Sequence, residues 1–489
     1  MAQPINRRTM IRGLTAGALI VGFDPVARAW ASAPGRNGLT GLPPLDGVLL
    51  TDPADLAAAA DDYGHIVHRT PLAVLQPGSV SDVTEMLGFC QRVGLPVAPR
   101  GQGHQTYGQA QVAGGLVIEM SPLDSIQVLA DRAVVQAGAT WGALLTATLA
   151  HGLTPLVFTD YIGLSIGGTL SVGGIGGASQ HHGAQVDAVL ELEVATGTGR
   201  LVSCSPTSNP ELFNAALSGL GQCGVIVSAT IPLVTAPATV RQYNLTYPTV
   251  AALTADQRKV VLDGRFDWLE GTTATTSTGA WQYVLEGAAY YTGNPPDDSS
   301  LIGDLDYLPG TAQISDIDYG DFINILASTV TFLESTGEWY DPHPWLNLFL
   351  PDEITDAYVT ELMSGLSPAS LGASGLVLLY PVPTARFTRP LLRVPHSGDV
   401  TFLLSVLYTS APDTGGLPAS TEVASNRELF LRARALGGYQ YPVGSVPMTQ
   451  ADWQRQYGPQ WPFLAAAKAA FDPGRVLTPG QGIFPGKGA

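Results

Sequence analysis

Arg100-Gly101-Gln102-Gly103-His104-Gln105-Thr106-Tyr107-Gly108-Gln109 sets a histidine inside a glycine-rich turn. It directly follows a short apolar run, Leu95 to Ala98, that reads as a strand. Glycines let backbone N–H groups approach a phosphate closely and turn inward together. The imidazole then stands at the edge of whatever the loop holds. One reading is a phosphate-bearing cofactor held by backbone and attached through a side chain. The other is a surface turn with a solvated histidine, and this segment alone does not choose between them.

Outward from the turn, residues 66 to 235 alternate short strands with helices. Leu72 to Leu75 is a strand candidate, and Pro77-Gly78-Ser79 opens a helix with Ser79 and Asp82 as a capping pair. Val83, Met86, Leu87, Cys90 and Val93 follow at helical spacing. Leu116 to Met120 and Ala133 to Ala137 read as strands, and Trp141 to Ala150 as a helix closed by Gly152. Thr196-Gly197-Thr198-Gly199 is a hairpin signal between Val189–Ala195 and Arg200–Ser203. Asn209-Pro210 starts a helix that should end near Gly221, and Val225 to Leu233 is a long β-branched strand. Composition shifts at Pro232 to Pro237, the expected domain boundary. Beyond it lie longer strands (Trp281–Tyr291, Leu376–Tyr380, Val400–Tyr408) and helices around Phe322–Leu333 and Glu428–Leu436. The aromatic, proline-rich tail after about residue 440 is too short for its own domain and should return to the first one.

A second glycine run, Ile166-Gly167-Gly168-Thr169-Leu170-Ser171-Val172-Gly173-Gly174-Ile175-Gly176-Gly177, makes a wandering, close-packed backbone. Ser165, Thr169 and Ser171 supply hydroxyls along it, which suits a long dinucleotide lying against the chain; a glycine-rich β-corner is the alternative. The strand–GxGxxG–helix order of a Rossmann fold is absent, because no regular helix is expected to start at either glycine run.

Bulk properties narrow the class. The chain has 489 residues, enough for two or more domains. Hydrophobic residues make up 45% and charged residues 13%, which excludes disorder. A net charge of −17 argues against nucleic acid and against anionic membranes as partners. Cys90, Cys204 and Cys223 lack metal-ligand spacing, so neither a structural zinc nor a disulfide framework is expected, and no metal site is predicted. Arg7-Arg8-Thr9-Met10-Ile11-Arg12, the short apolar stretch Gly13 to Gly22, and small-residue sites at Ala27-Arg28-Ala29 and Ala31-Ser32-Ala33 predict a twin-arginine export signal. That stretch is too short to span a bilayer, so no stable membrane anchor is expected. The predicted location is extracellular or periplasmic, reached through the twin-arginine export machinery.

Gly101-Gln102-Gly103-His104, Thr159-Asp160-Tyr161 and Gly167-Gly168-Thr169-Leu170-Ser171 together resemble the covalent flavoproteins of the vanillyl-alcohol oxidase type, with a PCMH-type FAD-binding domain. Four further segments resemble cytokinin dehydrogenases in sequence and order. They are His182-Gly183 with Val189-Leu190-Glu191-Leu192, Phe266-Asp267-Trp268-Leu269-Glu270-Gly271, Pro342-His343-Pro344-Trp345-Leu346-Asn347-Leu348-Phe349, and Phe471-Asp472-Pro473 with Pro479-Gly480-Gln481-Gly482-Ile483-Phe484. The resemblance covers about residues 60 to 485. It implies an α+β fold in two domains, an FAD domain plus an antiparallel-sheet substrate domain covered by helices. The implied division is residues 1–33 signal, 40–236 FAD-binding domain, 237–440 substrate domain and 441–489 C-terminal return.

The resemblance further implies that His104 holds FAD covalently, with Pro99, Gly101, Gln102, Gly103, Gln105 and Gln109 around it. Asp160, Ser165, Ser171, Ile175, Ile226, Tyr441, Thr478 and Gln481 match further flavin-contact positions. Asp160 matches the catalytic base, Glu270 an acid at the substrate entrance, and Trp345 and Asn347 the pocket wall. Three positions depart from the pattern: Gln105 replaces a small hydroxyl residue, Phe158 replaces tryptophan, and either Tyr441 or Val443 occupies the C-terminal tyrosine position. The implied reaction is oxidation of a secondary amine, an N6-alkyladenine, by hydride transfer to FAD with oxygen or a quinone as final acceptor. The alternatives are an alcohol, sugar or secondary-metabolite oxidase in the same fold, or a secreted flavin- or ligand-binding protein without turnover. The presence of Asp160 with Glu270 argues against the last, since pure binding needs no base.

Overall fold

The computed structural model describes residues 20–24, 29–32, 39–276, 279–372, 374–410 and 416–485. The twin-arginine segment, Arg7 to Arg12, lies outside the described residues. Strands Ile20–Asp24, Ala29–Ser32 and Leu39–Gly41 pair antiparallel in a small sheet of their own.

The first unit is built around one crossover helix. Strands Ala73–Gln76, Leu116–Glu119 and Val97–Arg100 run parallel, with Val48–Leu50 antiparallel at the edge. Parallel strands need a crossover, and helix Val80–Val93 supplies it. The Ser79 hydroxyl accepts from the Asp82 N–H, and Gly94 ends the helix at φ +71°. The anticipated Ser79–Asp82 pair is only half formed. The Asp82 carboxylate instead accepts from the N–H groups of Asp46, Gly47 and Gly78 at 2.9, 2.8 and 2.8 Å. Val83, Met86, Leu87 and Cys90 are fully buried between this sheet and a second one carrying Ala195, Val225 and Val227. Each such large side chain contributes about 1.5–3 kcal/mol, so packing outweighs the cap, worth about 1 kcal/mol.

The second sheet is antiparallel, in the order Leu201–Cys204, Glu191–Thr196, Gly224–Thr235, Arg132–Gln136, Ile126–Val128. Leu153–Pro155 pairs with the far end of Gly224–Thr235. Two expectations need correction here. The helix from Pro210 ends at Ala216, not near Gly221. Leu217 is extended, Ser218 and Leu220 take positive φ, and their N–H groups turn to bond Leu170 and Ser171 carbonyls. The second glycine run does contain a short helix, Ile166–Val172. Its two internal glycines cost about 1 kcal/mol each, which burial of Ile166, Leu170 and Val172 offsets.

The second unit is an eight-stranded antiparallel sheet. Its order is Gln313–Asp318, Thr239–Tyr247, Trp281–Tyr291, Trp268–Thr275, Leu376–Pro383, Val400–Leu407, Leu346–Pro351, Tyr439–Gln440. Both faces are covered. Leu269, Leu348, Leu404 and Tyr243 face the layer of helices Val250–Asp263, Asp352–Gly365 and Ala419–Ala435, while Ala288, Phe349, Tyr380 and Leu403 face the first unit. Double-sided burial explains why Leu346–Pro351 is apolar at nearly every position instead of alternating. The helix expected over Phe322–Leu333 is two helices, Tyr319–Ile323 and Ala327–Thr336. Phe322 and Ile323 find a place in the core, whereas Phe332 is exposed and none of the residues of Ala327–Thr336 is buried. The helix expected at Glu428 begins earlier, at Ala419.

After Gln440 the chain forms helices Gln450–Tyr457 and Trp461–Phe471 and then crosses back. Leu477 bridges Val97 in parallel, with Val97 N–H donating to Val476 O and Thr478 N–H to Val97 O, both at 2.8 Å. This brings Thr478 and Gln481 beside the strand that leads into the His104 turn.

Candidate active site

The His104 turn leaves strand Val97–Arg100 and is held from outside by residues 61 to 65. Tyr63 N–H donates to Gly103 O at 2.9 Å and Gly64 N–H to Gln105 O at 3.1 Å, so the clamp grips the backbone on both sides of His104. Asp62 accepts from the N–H groups of Gly64 and Gly108 at 3.1 and 2.7 Å, and Arg100 donates to Asp61 O. Burial pushes the Asp62 carboxyl up to about 6 against those two hydrogen bonds. Gly103 sits at φ +67°, where a side chain would also strike the Arg100 guanidinium, so this turn needs glycine.

A cavity of about 1060 Å³, counting its open mouth, runs between the turn and the two sheets of the first unit. Pro99, Gly101, Gln102, Gly103, His104, Gln105 and Gln109 line one side. Ser165 and Ser171 come from the second glycine run, Ile226 from the central strand, and Tyr441, Thr478 and Gln481 from the returning tail. Tyr441 and Val443 both line it, and the Tyr441 hydroxyl accepts from Gly174 N–H at 3.0 Å, which makes it the anchored member of the pair. Ile175 and Asp160 are not on the wall; their neighbours Gly174 and Thr159 are, while Ile175 packs into the core. Several polar groups are spent on protein. Gln109 donates to Gly444 O at 3.0 Å and accepts from Tyr107 N–H at 2.8 Å, Ser171 donates to Gly167 O, and Thr169 accepts from Trp141 Nε1. Seven glycines (101, 103, 167, 168, 174, 221 and 224) present bare backbone to the space, and the buried Gln105 Oε1 meets no protein donor. A long cavity floored by glycine backbone, with an unmet acceptor, fits a dinucleotide such as FAD.

Burial, reinforced by the charge of nearby His343, pushes the His104 imidazole down to about 3, so the ring is neutral at working pH. Its face stacks on Tyr63 with centroids 4.0 Å apart and an interplanar angle of 27°. Tyr161, Trp339 and Trp345 stand 5.0, 5.7 and 5.7 Å from it.

Asp160 and Glu270 come from different units. Asp160 follows strand Leu153–Pro155, and Glu270 sits on Trp268–Thr275, on the sheet face turned toward the first unit. Gln180 and His181 fix the entry to that strand, both reaching Phe266 O, at 2.8 and 2.7 Å. The two carboxyls are in hydrogen-bonding contact. Burial raises both. The Asp160 charge lifts Glu270 further, well above the usual carboxylate range, while the bond from Glu270 pulls Asp160 down. Asp160 Oδ1 and Glu270 Oε1 are each buried and meet no hydrogen-bond partner in the protein. Both carboxyls are therefore held above their ordinary range, Glu270 further than Asp160.

Sequence reasoning missed two neighbours of this pair and one of His104. Glu286 faces Glu270 across the strand register, raised by burial and by the Asp160 charge while Thr272 donates to it at 2.7 Å. Tyr380 lies close enough for both acids to raise its hydroxyl. Tyr63 backs His104. Alternation along Trp281–Tyr291 would have placed Glu286 on one face with Ala288 and Tyr290, but not which face met Asp160. Trp345 stands edge-on to Tyr63 at 5.3 Å, and Asn347 is buried with its Nδ2 unpartnered.

Two family models match the chain: an FAD binding domain over residues 71–205, and a domain described as cytokinin dehydrogenase 1, FAD and cytokinin binding, over residues 272–484. An uncharacterized oxidoreductase, ORF5 in the fasciation locus of Rhodococcoides fascians, is 41% identical over 89% of this chain and 99% of its own length. Cytokinin dehydrogenase 7 of Oryza sativa subsp. japonica is 35% identical over 89% of this chain and 91% of its own. The fold is shared with 6-hydroxy-D-nicotine oxidase from Arthrobacter nicotinovorans (TM-score 0.67, 20% identity, 88% of this chain and 96% of that one). It is also shared with xylooligosaccharide oxidase from Myceliophthora thermophila C1 (TM-score 0.71, 19% identity, 91% and 96%).

Proposed function

The chain belongs to the cytokinin dehydrogenase family of FAD-dependent oxidoreductases, and from that premise we propose that it oxidises a secondary amine, an N6-alkylated adenine with an allylic side chain, with FAD carried covalently on His104. The observation that carries this reading is the buried, mutually hydrogen-bonding Asp160–Glu270 pair, both members raised above the ordinary carboxylate range. A carboxylate held charged in an apolar setting is a competent base for an amine N–H. Asp160 takes that proton while Glu270 keeps it oriented and ionised. FAD bound in the glycine-floored cavity supplies the hydride acceptor for the adjacent carbon. The substrate leaves as an imine, which water hydrolyses to an aldehyde and adenine. Asn347 Nδ2, buried without an acceptor, offers a donor to a substrate heteroatom.

Export and covalent attachment support each other in this reading. An enzyme outside the cytoplasm meets little free FAD, so a histidyl link prevents its loss, and oxygen or a quinone serves as terminal acceptor. Anaerobic mixing with isopentenyl-adenine, against a panel of alcohols and sugars, tests the reading. Bleaching of the flavin by the adenine alone is the expected result. Bleaching only by an alcohol or a sugar would replace the amine with that substrate class.

A further inference from the structure

Tyr63 lies between two imidazoles. Its ring stacks on His104 at 4.0 Å and on His343 at 4.1 Å, with interplanar angles of 27° and 15°. The three rings form one pile whose members come from three distant stretches of chain. The pile is also tied along its backbone. His343 Nδ1 hydrogen-bonds Tyr63 O at 3.0 Å, and His343 N–H donates to Gly64 O at 3.0 Å. Tyr63 and Gly64 in turn bind the carbonyls that flank His104. His343, inside the Pro-His-Pro-Trp segment of the second unit, is thus coupled to the candidate attachment residue through the stacked Tyr63 ring. Stacking engages one face of the His104 ring, and His104 lines the cavity.

We propose that Tyr63, backed by His343, is a positioning residue for covalent flavin attachment: it fixes the plane of the His104 ring so that an edge nitrogen points at the flavin methyl carbon. The proposal rests on the reading of His104 as the attachment point. In the attachment, one imidazole N–H and one methyl C–H bond break and one C–N bond forms. The two protons and two electrons released pass to the oxygen or quinone that the catalytic cycle also uses. Bond formation of this kind is steeply sensitive to angle and distance, and a free ring rotates out of line. The stack also keeps the imidazole in a dry, neutral state, so its nitrogen lone pair is available.

The test uses the full chain supplied with FAD, as wild type, Tyr63→Phe, Tyr63→Leu, His343→Asn and His104→Ala. Total bound flavin is measured first, then flavin retained in the protein after acid precipitation, as a time course. Tyr63→Phe keeps the ring and should attach flavin at the wild-type rate. Tyr63→Leu fills the space without a ring face and should slow attachment on the order of tenfold while total bound flavin and melting temperature stay near wild type. His343→Asn keeps a side-chain amide near Tyr63 O and should slow it less. Wild-type attachment rates in both Tyr63→Leu and His343→Asn would overturn the positioning role alone. A wild-type protein that loses all its flavin in acid, or a His104→Ala protein that keeps it, would overturn the attachment reading beneath it.

Discussion

The carboxyls of Asp160 and Glu270 are hydrogen-bonding neighbours across the boundary between the two units, and burial raises both. Two like charges about 4 Å apart repel by about 4 kcal/mol even at an effective dielectric of 20, roughly three pKa units, so both cannot ionise near neutrality. The pair therefore titrates as a unit, with the second proton held far above the carboxylate range. On the proposed reading, the base and the acid that adjusts it meet only when the sheet of the second unit is docked on the first, because Glu270 belongs to that sheet.

Asp160→Asn removes the proton acceptor while keeping the shape of the pocket. Flavin reduction by substrate should fall by about 10²–10⁴-fold, with bound flavin unchanged. Anaerobic stopped-flow absorbance measures it, and undiminished reduction would remove Asp160 as base.

Glu270 sets where the acid limb of activity lies. Its hydrogen bond lowers the Asp160 carboxyl against a burial that raises it. With Asp160 as the proposed base, activity requires it ionised, so kcat/KM should rise with pH through the lower apparent pKa of the pair. In Glu270→Ala the donor is lost, Asp160 becomes harder to ionise, and that limb should move to higher pH. Glu270→Gln still donates an N–H and should leave it nearly in place. Profiles of kcat/KM from pH 5 to 9 distinguish the two; an unmoved limb in Glu270→Ala would separate Glu270 from the base.

Much of this site was legible in the linear sequence, for local reasons. Gly103 and His104 announce themselves because a turn with positive φ demands glycine wherever it occurs. Asp160 is singled out by the resemblance, since a lone acid in a loop is otherwise more often a cap, and strands such as Gly224–Thr235 follow from β-branched runs. What could not be read is what depends on register and on docking of distant segments. Glu286 matters because it lies opposite Glu270 in a hairpin, and Tyr63 because residues 61–65 lie along the His104 turn. The short helix Ile166–Val172 was hidden by its glycines, whose propensity penalty is overcome by tertiary burial.

Asp62 predicts how stability varies with pH. Its folded-state carboxyl sits at about 6, above the ordinary 3.8, so the folded protein holds that proton more tightly than the unfolded chain. The contribution is fully present below the unfolded value and is lost as pH rises through about 6, at most about 3 kcal/mol for a shift of this size. Asp62→Asn cannot ionise, so its melting temperature should gain on wild type steadily between pH 4 and pH 7. Parallel melting curves for the two proteins would show the Asp62 charge to be unimportant to the clamp.

Lys468 and Asp472 anchor the returning tail. Their charges meet at 2.7 Å with only 2% and 0% of the side chains exposed. The Lys468 ammonium also donates to Gln222 O and Leu477 O at 2.8 and 3.2 Å, while Asp472 accepts from the N–H groups of Val476 and Leu477 at 3.2 and 2.9 Å. The pair thus shapes the turn just before Thr478 and Gln481, which line the cavity. Replacing one partner leaves a buried charge with no counter-charge, a cost of about 3–5 kcal/mol, whereas replacing both removes that cost. Lys468→Met should therefore lower the melting temperature by roughly 5–10 °C. It should also weaken flavin retention, because the tail that lines the cavity loosens with it. Lys468→Met with Asp472→Asn should recover a large part of both. Calorimetry alongside the flavin-to-protein absorbance ratio measures the two effects, and a double variant no better than the single would show that the tail is held by its backbone hydrogen bonds and not by the ion pair.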